Sequence, residues 1–224
     1  MERKIIKTGD GSVTIHLPEW DEQYHSKHGA VQEALHVFIK MGLQHFVEKS
    51  SKAQISILEI GFGTGLNAFL TFLESQKLQL EIMYTGVEAY PISAEEISAL
   101  NYAEKLSVEN QSWALQKMHD CPWEQHSGIS DDFSLEKLQK KFDEITAKDA
   151  FDIIYFDAFG ARVQPELWTE EIFEIMYSAL KMEGILVTYS AKGSVRRALQ
   201  KVGFFVERLP GPPGKREMLR ASKI

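Results

Sequence analysis

Short apolar runs alternate along the chain with stretches whose apolar positions recur every three or four residues, a pattern that predicts strands and helices in turn. Over 3–20, Ile5-Ile6, a turn at Asp10-Gly11 and the alternation from Ser12 to Leu17 predict a short β-hairpin arm. From about 29 to 46, Val31, Ala34, Leu35, Phe38, Ile39, Leu43 and Phe46 recur at helical spacing. The run 55–60 is a compact strand, and a helix opens directly after it at Leu66. A second strand over 82–87 ends at Glu88, and Ser93 with Glu96 forms a capping box for the following helix. Strands are further predicted over 133–141, 151–156 and 185–189, the second ending at Asp157. Thr169 caps a helix through about 180, and 195–202 reads as another. The runs 204–209 and 216–220 pair as the last strands around Pro210-Gly211-Pro212-Pro213-Gly214. The stretch 105–130 reads as an insertion over the sheet, with Trp113 and Trp123 among polar residues and Pro122 and Gly128 as breakers.

Buried strands alternating with helices predict an α/β fold with an open, mostly parallel sheet and helices on both faces. A single domain over 1–224 is expected, with an arm and helix over 1–50 and a Rossmann-like core over 51–224. Ligands in such sheets bind at the carboxyl ends of the strands. Glu59 with Gly61, Glu88 and Asp157 all fall at such ends, so three strand tips point to one crevice.

Composition changes this picture little. No apolar run approaches the length of a membrane span, and Met1-Glu2-Arg3-Lys4 lacks the apolar stretch of a signal peptide. The lone Cys121 has no internal disulfide partner, so a cytoplasmic location and no membrane partner are expected. His25, His28 and His36 are accompanied by no cysteine or tight carboxylate set, so no metal is expected. The net charge of −7 argues against broad, non-specific nucleic-acid binding. The last thirty-three residues reverse that balance: Lys192, Arg196, Arg197, Lys201, Arg208, Lys215, Arg216, Arg220 and Lys223 face only Glu207 and Glu217.

The turn Gly61-Phe62-Gly63-Thr64-Gly65 lies between a strand and a helix, where glycines permit a tight bend and close approach of backbone to a ligand. A dinucleotide site requires a third glycine where this chain has Leu66. Glu59, before the turn, would repel a pyrophosphate but can hold the ammonium of a methionine moiety. Glu88, at the next strand tip, is placed to accept ribose hydroxyls. The pattern resembles motifs I and II of the class I S-adenosylmethionine methyltransferases. That resemblance implies a seven-stranded sheet and cofactor contacts from Glu59, Gly61, Phe62, Gly63, Gly65, Asn67, Glu88 and Asp157.

Further blocks narrow the resemblance. They are Tyr24-His25-Ser26, Glu33, 157–169, 188–193, 195–199 and 214–219. Together they look like the methyltransferase domain of the MnmC-type tRNA-modifying enzymes, over about 14–219. The resemblance implies methylation of the aminomethyl group on a tRNA wobble uridine, with or without a 2-thio group. It also implies that the precursor amine comes from a separate enzyme, since the family's flavin-dependent oxidase domain has no counterpart here. Asp157 is the expected catalytic group, binding the substrate ammonium and taking its proton. Tyr24, Ser26, Glu33, Phe159, Arg162 and Trp168 are expected around the substrate, with Arg196, Arg197, Lys215 and Arg216 on tRNA phosphates. The family's Gly-Asp at the third strand tip is here Lys140-Lys141, with Asp143 nearby, and a family lysine near 163 is Val163, with Arg162 beside it. Two other readings stay open: methylation of a small amine or metabolite, and a non-catalytic module that binds S-adenosylmethionine or RNA.

Overall fold

The computed structural model describes residues 2–224. Strands β1 (Lys4–Lys7) and β2 (Val13–Leu17) form the expected hairpin, and β3 (Glu22–Gln23) adds a third strand beside β2. The hairpin turn is built around Asp10, which accepts from the Ser12 amide and from the hydroxyls of Ser12 and Thr8. Its other oxygen accepts from the Gln32 amide and ties the arm to the first helix. That helix runs from α1 (Ala30–Ala34) through Leu35–Gln44 to α2 (His45–Lys49) without a break. The middle segment adopts the wider i→i+5 hydrogen bonding of a π-helix. Val37, Phe38, Ile39 and Leu43 are buried from it, and Gly42 lies close against Val187 and Tyr155 of the sheet.

The remaining elements are strands β4 (Gln54–Ile60), β5 (Glu81–Val87), β6 (His126–Ser130), β7 (Phe133–Leu138), β8 (Phe151–Phe156), β9 (Leu180–Thr188), β10 (Phe205–Pro210) and β11 (Glu217–Ser222). Helices α3 (Leu66–Leu78), α4 (Ala94–Ser98), α5 (Tyr102–Lys105), α6 (Ser112–Asp120), α7 (Glu170–Ala179) and α8 (Gly193–Val202) connect them. These strands make one sheet in the order β10-β11-β9-β8-β4-β5-β7-β6. The five strands from β9 to β7 are parallel, whereas β11 and β6 run against their inner neighbours. The α/β class and open sheet agree with the expectation from sequence, but the sheet has eight strands rather than seven. The extra one is β6, which comes from the segment expected to lie over the sheet. His126 to Ser130 instead folds back as an antiparallel edge on β7. The rest of that segment supplies α6, with Ala114 and Met118 in the core.

Strand β4 lies between β5, which follows it in the chain, and β8, which is reached only after β7. The order therefore reverses at the tip of β4, and such a reversal opens a crevice beyond the strand ends. Apolar residues on both faces of β4 and β8 hold these tips rigidly. Ile55 and Ile57 join one core layer, and Leu58, Ile60, Ile154 and Phe156 join the other.

Candidate functional site

A cavity of about 390 Å³ lies beyond the tips of β4, β5 and β8, a size that suits a small-molecule ligand. Its floor is the glycine turn. Gly61 (φ 88°), Gly63 (φ 50°) and Gly65 (φ 72°) are all left-handed, so glycine is required for conformation alone. A Cβ on Gly61 would lie 2.8 Å from the Asp157 carbonyl oxygen, which shows how closely the β4 and β8 loops approach. The amides of Gly61 and Phe62 both donate to the Val87 carbonyl at 3.0 Å and lock the turn to β5. Phe62 is among the residues that line the cavity, and its ring packs beneath Gly86 and against His119 and Trp123. Phe62 therefore supports the turn from below.

Three acids converge on this turn. Glu88 Oε2 accepts from the Gly63 amide at 3.1 Å and Oε1 from the Tyr90 amide at 2.9 Å, so the carboxylate is held at the mouth with lone pairs to spare. Glu59 is 1% exposed. Its Oε1 accepts from Asn67 Nδ2 at 2.8 Å and its Oε2 from the Tyr84 hydroxyl at 2.8 Å. Burial pushes its carboxyl well above the usual range, against the pull of those two hydrogen bonds. The same Asn67 Nδ2 donates to Asp157 Oδ2 at 2.9 Å. Burial raises the Asp157 carboxyl to about 7, with the Asn67 hydrogen bond and the Lys215 charge opposing and the Glu33 charge assisting.

The walls come from the arm, the first helix and the carboxyl-terminal loops. Tyr24 stacks edge-on to Phe159 with ring centroids 5.0 Å apart and covers Gly63. The Ser26 amide donates to Glu33 Oε2 at 2.9 Å, and Glu33 Oε1 accepts from Lys215 Nζ. Lys215 Nζ also lies 3.9 Å from the Tyr189 ring centroid, so this lysine is engaged inside the cavity instead of standing free for a phosphate. Trp168 turns into the core. It is 5% exposed, packs on Phe156, Phe173 and Tyr189, and donates its indole N–H to the Phe159 carbonyl at 2.8 Å. It anchors the loop that presents Phe159. Arg162 likewise acts as a strut, donating to the carbonyls of Trp20 and Asp21 and to Glu22.

The basic tail resolves into two sets. Lys201, Arg208, Lys215, Arg220 and Lys223 pair with Glu170, Glu217, Glu33, Glu207 and Asp149. Lys192, Arg196, Arg197 and Arg216 form no ion pair among the described residues. Antiparallel β11 begins where β9 ends, so Arg216 and Lys192 both lie at the end of the sheet that carries the cavity.

Some contributors gave no signal in the sequence. Tyr84 is an ordinary-looking strand residue whose hydroxyl happens to meet Glu59. Phe142 reaches the cavity from the loop after β7, whereas Lys141 is exposed and its amide donates to Glu144 Oε2. His25 lies beneath the arm between Thr14 and Thr64, and burial lowers it to about 4, so its ring is neutral. No group of three or more His, Cys, Asp or Glu among the described residues is arranged to hold a metal ion. No helix among them is long and apolar enough to cross a membrane.

The chain resembles known proteins in sequence and in fold. A family model described as S-adenosyl-L-methionine-dependent methyltransferase matches residues 101–224. The tRNA 5-methylaminomethyl-2-thiouridine biosynthesis bifunctional protein MnmC of Leptospira interrogans is 32% identical over 226 residues, covering 96% of this chain and 34% of that protein. Its namesake from Cupriavidus metallidurans is 28% identical over 227 residues, covering 95% and 33%. This chain thus spans about a third of the length of the curated relatives it matches. The crystal structure of MNMC2 from Aquifex aeolicus superposes with a TM-score of 0.79 at 25% identity, covering all of this chain and 70% of that one. A spermidine synthase structure shares the fold alone, with a TM-score of 0.57 at 19% identity, covering 99% and 70%.

Proposed function

Because the chain belongs to the S-adenosyl-L-methionine-dependent methyltransferase family, we propose that it transfers the methyl group to an aminomethyl nitrogen on a tRNA wobble uridine. The product is then 5-methylaminomethyluridine or its 2-thio form. The similarity to MnmC proteins supports the nucleic-acid substrate. The observation that carries the amine is Asp157, raised to about 7 in a cavity lined by Glu22, Glu33, Glu59 and Glu88. Against these five acids the wall sets, among the described residues, Lys27 and Lys215, and Lys215 is already paired with Glu33. Such a site favours a cationic donor and an ammonium acceptor.

The fit of this chain to the cofactor rests on the glycine cradle, on the Glu88 carboxylate at the mouth and on a buried amide oxygen of Asn67 that has no hydrogen-bond partner among the described residues. When bound, S-adenosyl-L-methionine supplies an electrophilic methyl on a sulfonium, and the amine nitrogen displaces the sulfur, which leaves as a thioether. Glu88 is assigned to the ribose end, and Gly61, Gly63 and Gly65 to the close backbone approach. An alkylammonium has no lone pair to offer, so the substrate must lose a proton before attack. Asp157 binds the ammonium, receives that proton on its free oxygen and keeps the nitrogen aimed at the methyl. Asn67 holds the other oxygen. Tyr24 and Phe159 form an aromatic edge beside Asp157 for the base that carries the amine. The amine consumed here is the product of a preceding step.

Labelled-methyl transfer to tRNA from cells lacking the modification tests the proposal. Incorporation at the wobble uridine is expected, together with accumulation of aminomethyluridine in bulk tRNA when the gene is deleted. Transfer to a small alkylamine with none to tRNA would overturn the tRNA assignment and leave the methyltransferase.

A further inference from the structure

The glycine turn is tied to β5 and its tip by the amides of Gly61, Phe62 and Gly63. Away from β5 it rests on one imidazole. His119, near the end of α6, donates from Nε2 to the Thr64 carbonyl at 3.1 Å, since a carbonyl oxygen can only accept. The same nitrogen lies against Gly65, where a Cβ would fall 3.3 Å from it, and the ring meets that of Phe62 edge-on with centroids 6.1 Å apart. His119 thus touches Phe62, Thr64 and Gly65 together. Burial lowers it to about 4, so the ring is neutral and Nδ1 carries no hydrogen. His119 is fixed in its turn by Lys137, which is 1% exposed on the inward face of β7, in line with Phe133 and Leu135. Lys137 forms no ion pair among the described residues. Its Nζ donates to the His119 carbonyl at 2.7 Å, at the carboxyl end of α6 where the helix dipole favours a cation, and lies 4.9 Å from the Trp123 ring centroid. Trp123 meets Phe62 in turn, with centroids 6.5 Å apart. Lys137, His119, Phe62 and Trp123 therefore close a ring of contacts beneath the turn. Burying an ammonium without a carboxylate is costly, and what this one secures is the place of His119.

We propose that His119 is a positioning residue for S-adenosyl-L-methionine, holding the Thr64 carbonyl and Gly65 so that the glycine turn keeps the shape that receives the cofactor, and that Lys137 acts through it. Neither residue is among those that line the cavity, so both work from behind the turn. Thr64 is 1% exposed, and a buried carbonyl that loses its donor is left unsatisfied. The Thr64–Gly65 peptide then turns toward another donor. The left-handed Gly65 that leads into α3 moves with it, and the close backbone approach to the ligand is lost. Helix α6 thereby serves the site through a single imidazole.

The inference rests on the identity of the cofactor, and the experiment separates the two. S-adenosylhomocysteine is titrated calorimetrically into wild type, His119→Phe, His119→Gln and Lys137→Met, with melting temperatures measured alongside. His119→Phe keeps a ring and removes the donor, so binding is expected to weaken about tenfold or more. His119→Gln can place an amide N–H where Nε2 stands, and it should bind within about threefold of wild type even if its melting temperature falls as far as that of His119→Phe. Lys137→Met should weaken binding in the wild-type background and add little in the His119→Phe background, a coupling that a double-mutant cycle reads directly. Unchanged affinity in His119→Phe, or an equal loss in His119→Phe and His119→Gln, overturns the proposal. Failure of S-adenosylhomocysteine to bind wild type would instead overturn the cofactor assignment. Should the variants not fold, the imidazole of the unmutated protein decides by nitrogen NMR. His119 should show the neutral form with its hydrogen on Nε2, and S-adenosylhomocysteine should slow exchange of that hydrogen at least about tenfold. Exchange that the ligand leaves unchanged would refute the assignment.

Discussion

Asp157 is the residue on which the proposed chemistry most directly depends. Its carboxyl sits at about 7 because burial outweighs the stabilising Asn67 hydrogen bond and the Lys215 charge. A base must be ionised to take a proton, so kcat/KM should rise with pH along a limb near 7. Asp157→Asn should remove that limb and lower kcat/KM by about a hundred- to ten-thousandfold, while S-adenosylhomocysteine still binds. A variant that keeps both rate and limb would deny Asp157 the role. The same shift has a stability signature. A carboxyl raised from 3.8 to about 7 binds its proton more tightly in the folded chain, so its contribution is full below 3.8 and lost as pH rises through about 7. Thermal melts of the ligand-free protein should therefore show wild type losing stability relative to Asp157→Asn between those pH values. At this scale the sequence was informative where an acid ends an apolar run, as Glu88 and Asp157 do, or interrupts it near its end, as Glu59 does before Ile60. It was silent where a contact depends on distant segments meeting. Asn67 reaches Asp157 across ninety positions, and Lys215 reaches Glu33 across one hundred and eighty-two.

Among elements, β5 shows how a strand shapes the site without lending it a catalytic atom. Its Gly86 faces the Phe62 ring, and a Cβ there would fall 2.4 Å from Cδ2 and 3.0 Å from Cγ. The ring is wedged between His119 and Trp123, so it must shift and carry the glycine turn with it. Gly86→Ala should therefore weaken S-adenosylhomocysteine binding at least about tenfold, with a melting temperature lowered by several degrees, as overpacking of a close-packed interior does. Unchanged affinity by calorimetry would show that the turn does not depend on this wedge. Element types were legible where apolar residues dominate a short run, as in β4, β5, β8 and the 185–188 half of β9, and the Ser93–Glu96 capping box is present as read; the first half of β9, LKMEG, carries no such pattern and was not read as strand. The stretch before β7 was not legible. Edge strand β6, with sequence HSGIS, buries only Ile129 and is held mainly by its backbone ladder to β7, which leaves little side-chain pattern to detect.

Across the whole molecule, an acidic protein must still attract a polyanion if tRNA is its substrate. A net charge of −7 gives no general attraction, so binding has to come from cations that the fold leaves unneutralised. Folding draws Glu33, Asp149 and Glu170 from elsewhere in the chain onto the basic tail. What remains unpaired there is Lys192, Arg196, Arg197 and Arg216, of which Lys192 and Arg216 flank the strand ends that open the cavity. Phosphate contacts of this kind position a nucleic acid without reading its sequence, and each contributes to the salt dependence of binding through counterion release. Replacing Lys192 or Arg216 with Glu should weaken tRNA binding and reduce the slope of log affinity against log salt by about one per lost contact. Binding of S-adenosylhomocysteine should be unchanged, because neither side chain belongs to the hydrogen-bonded floor of the site. Lys201→Glu is the informative control, since Lys201 is already paired with Glu170 on the outside of α7 and α8. If Lys201→Glu weakens tRNA binding as much as Arg216→Glu, the attraction is a diffuse property of the tail. If only the cavity-side changes act, the tRNA approaches across the carboxyl ends of the strands, with its amine entering beside Asp157.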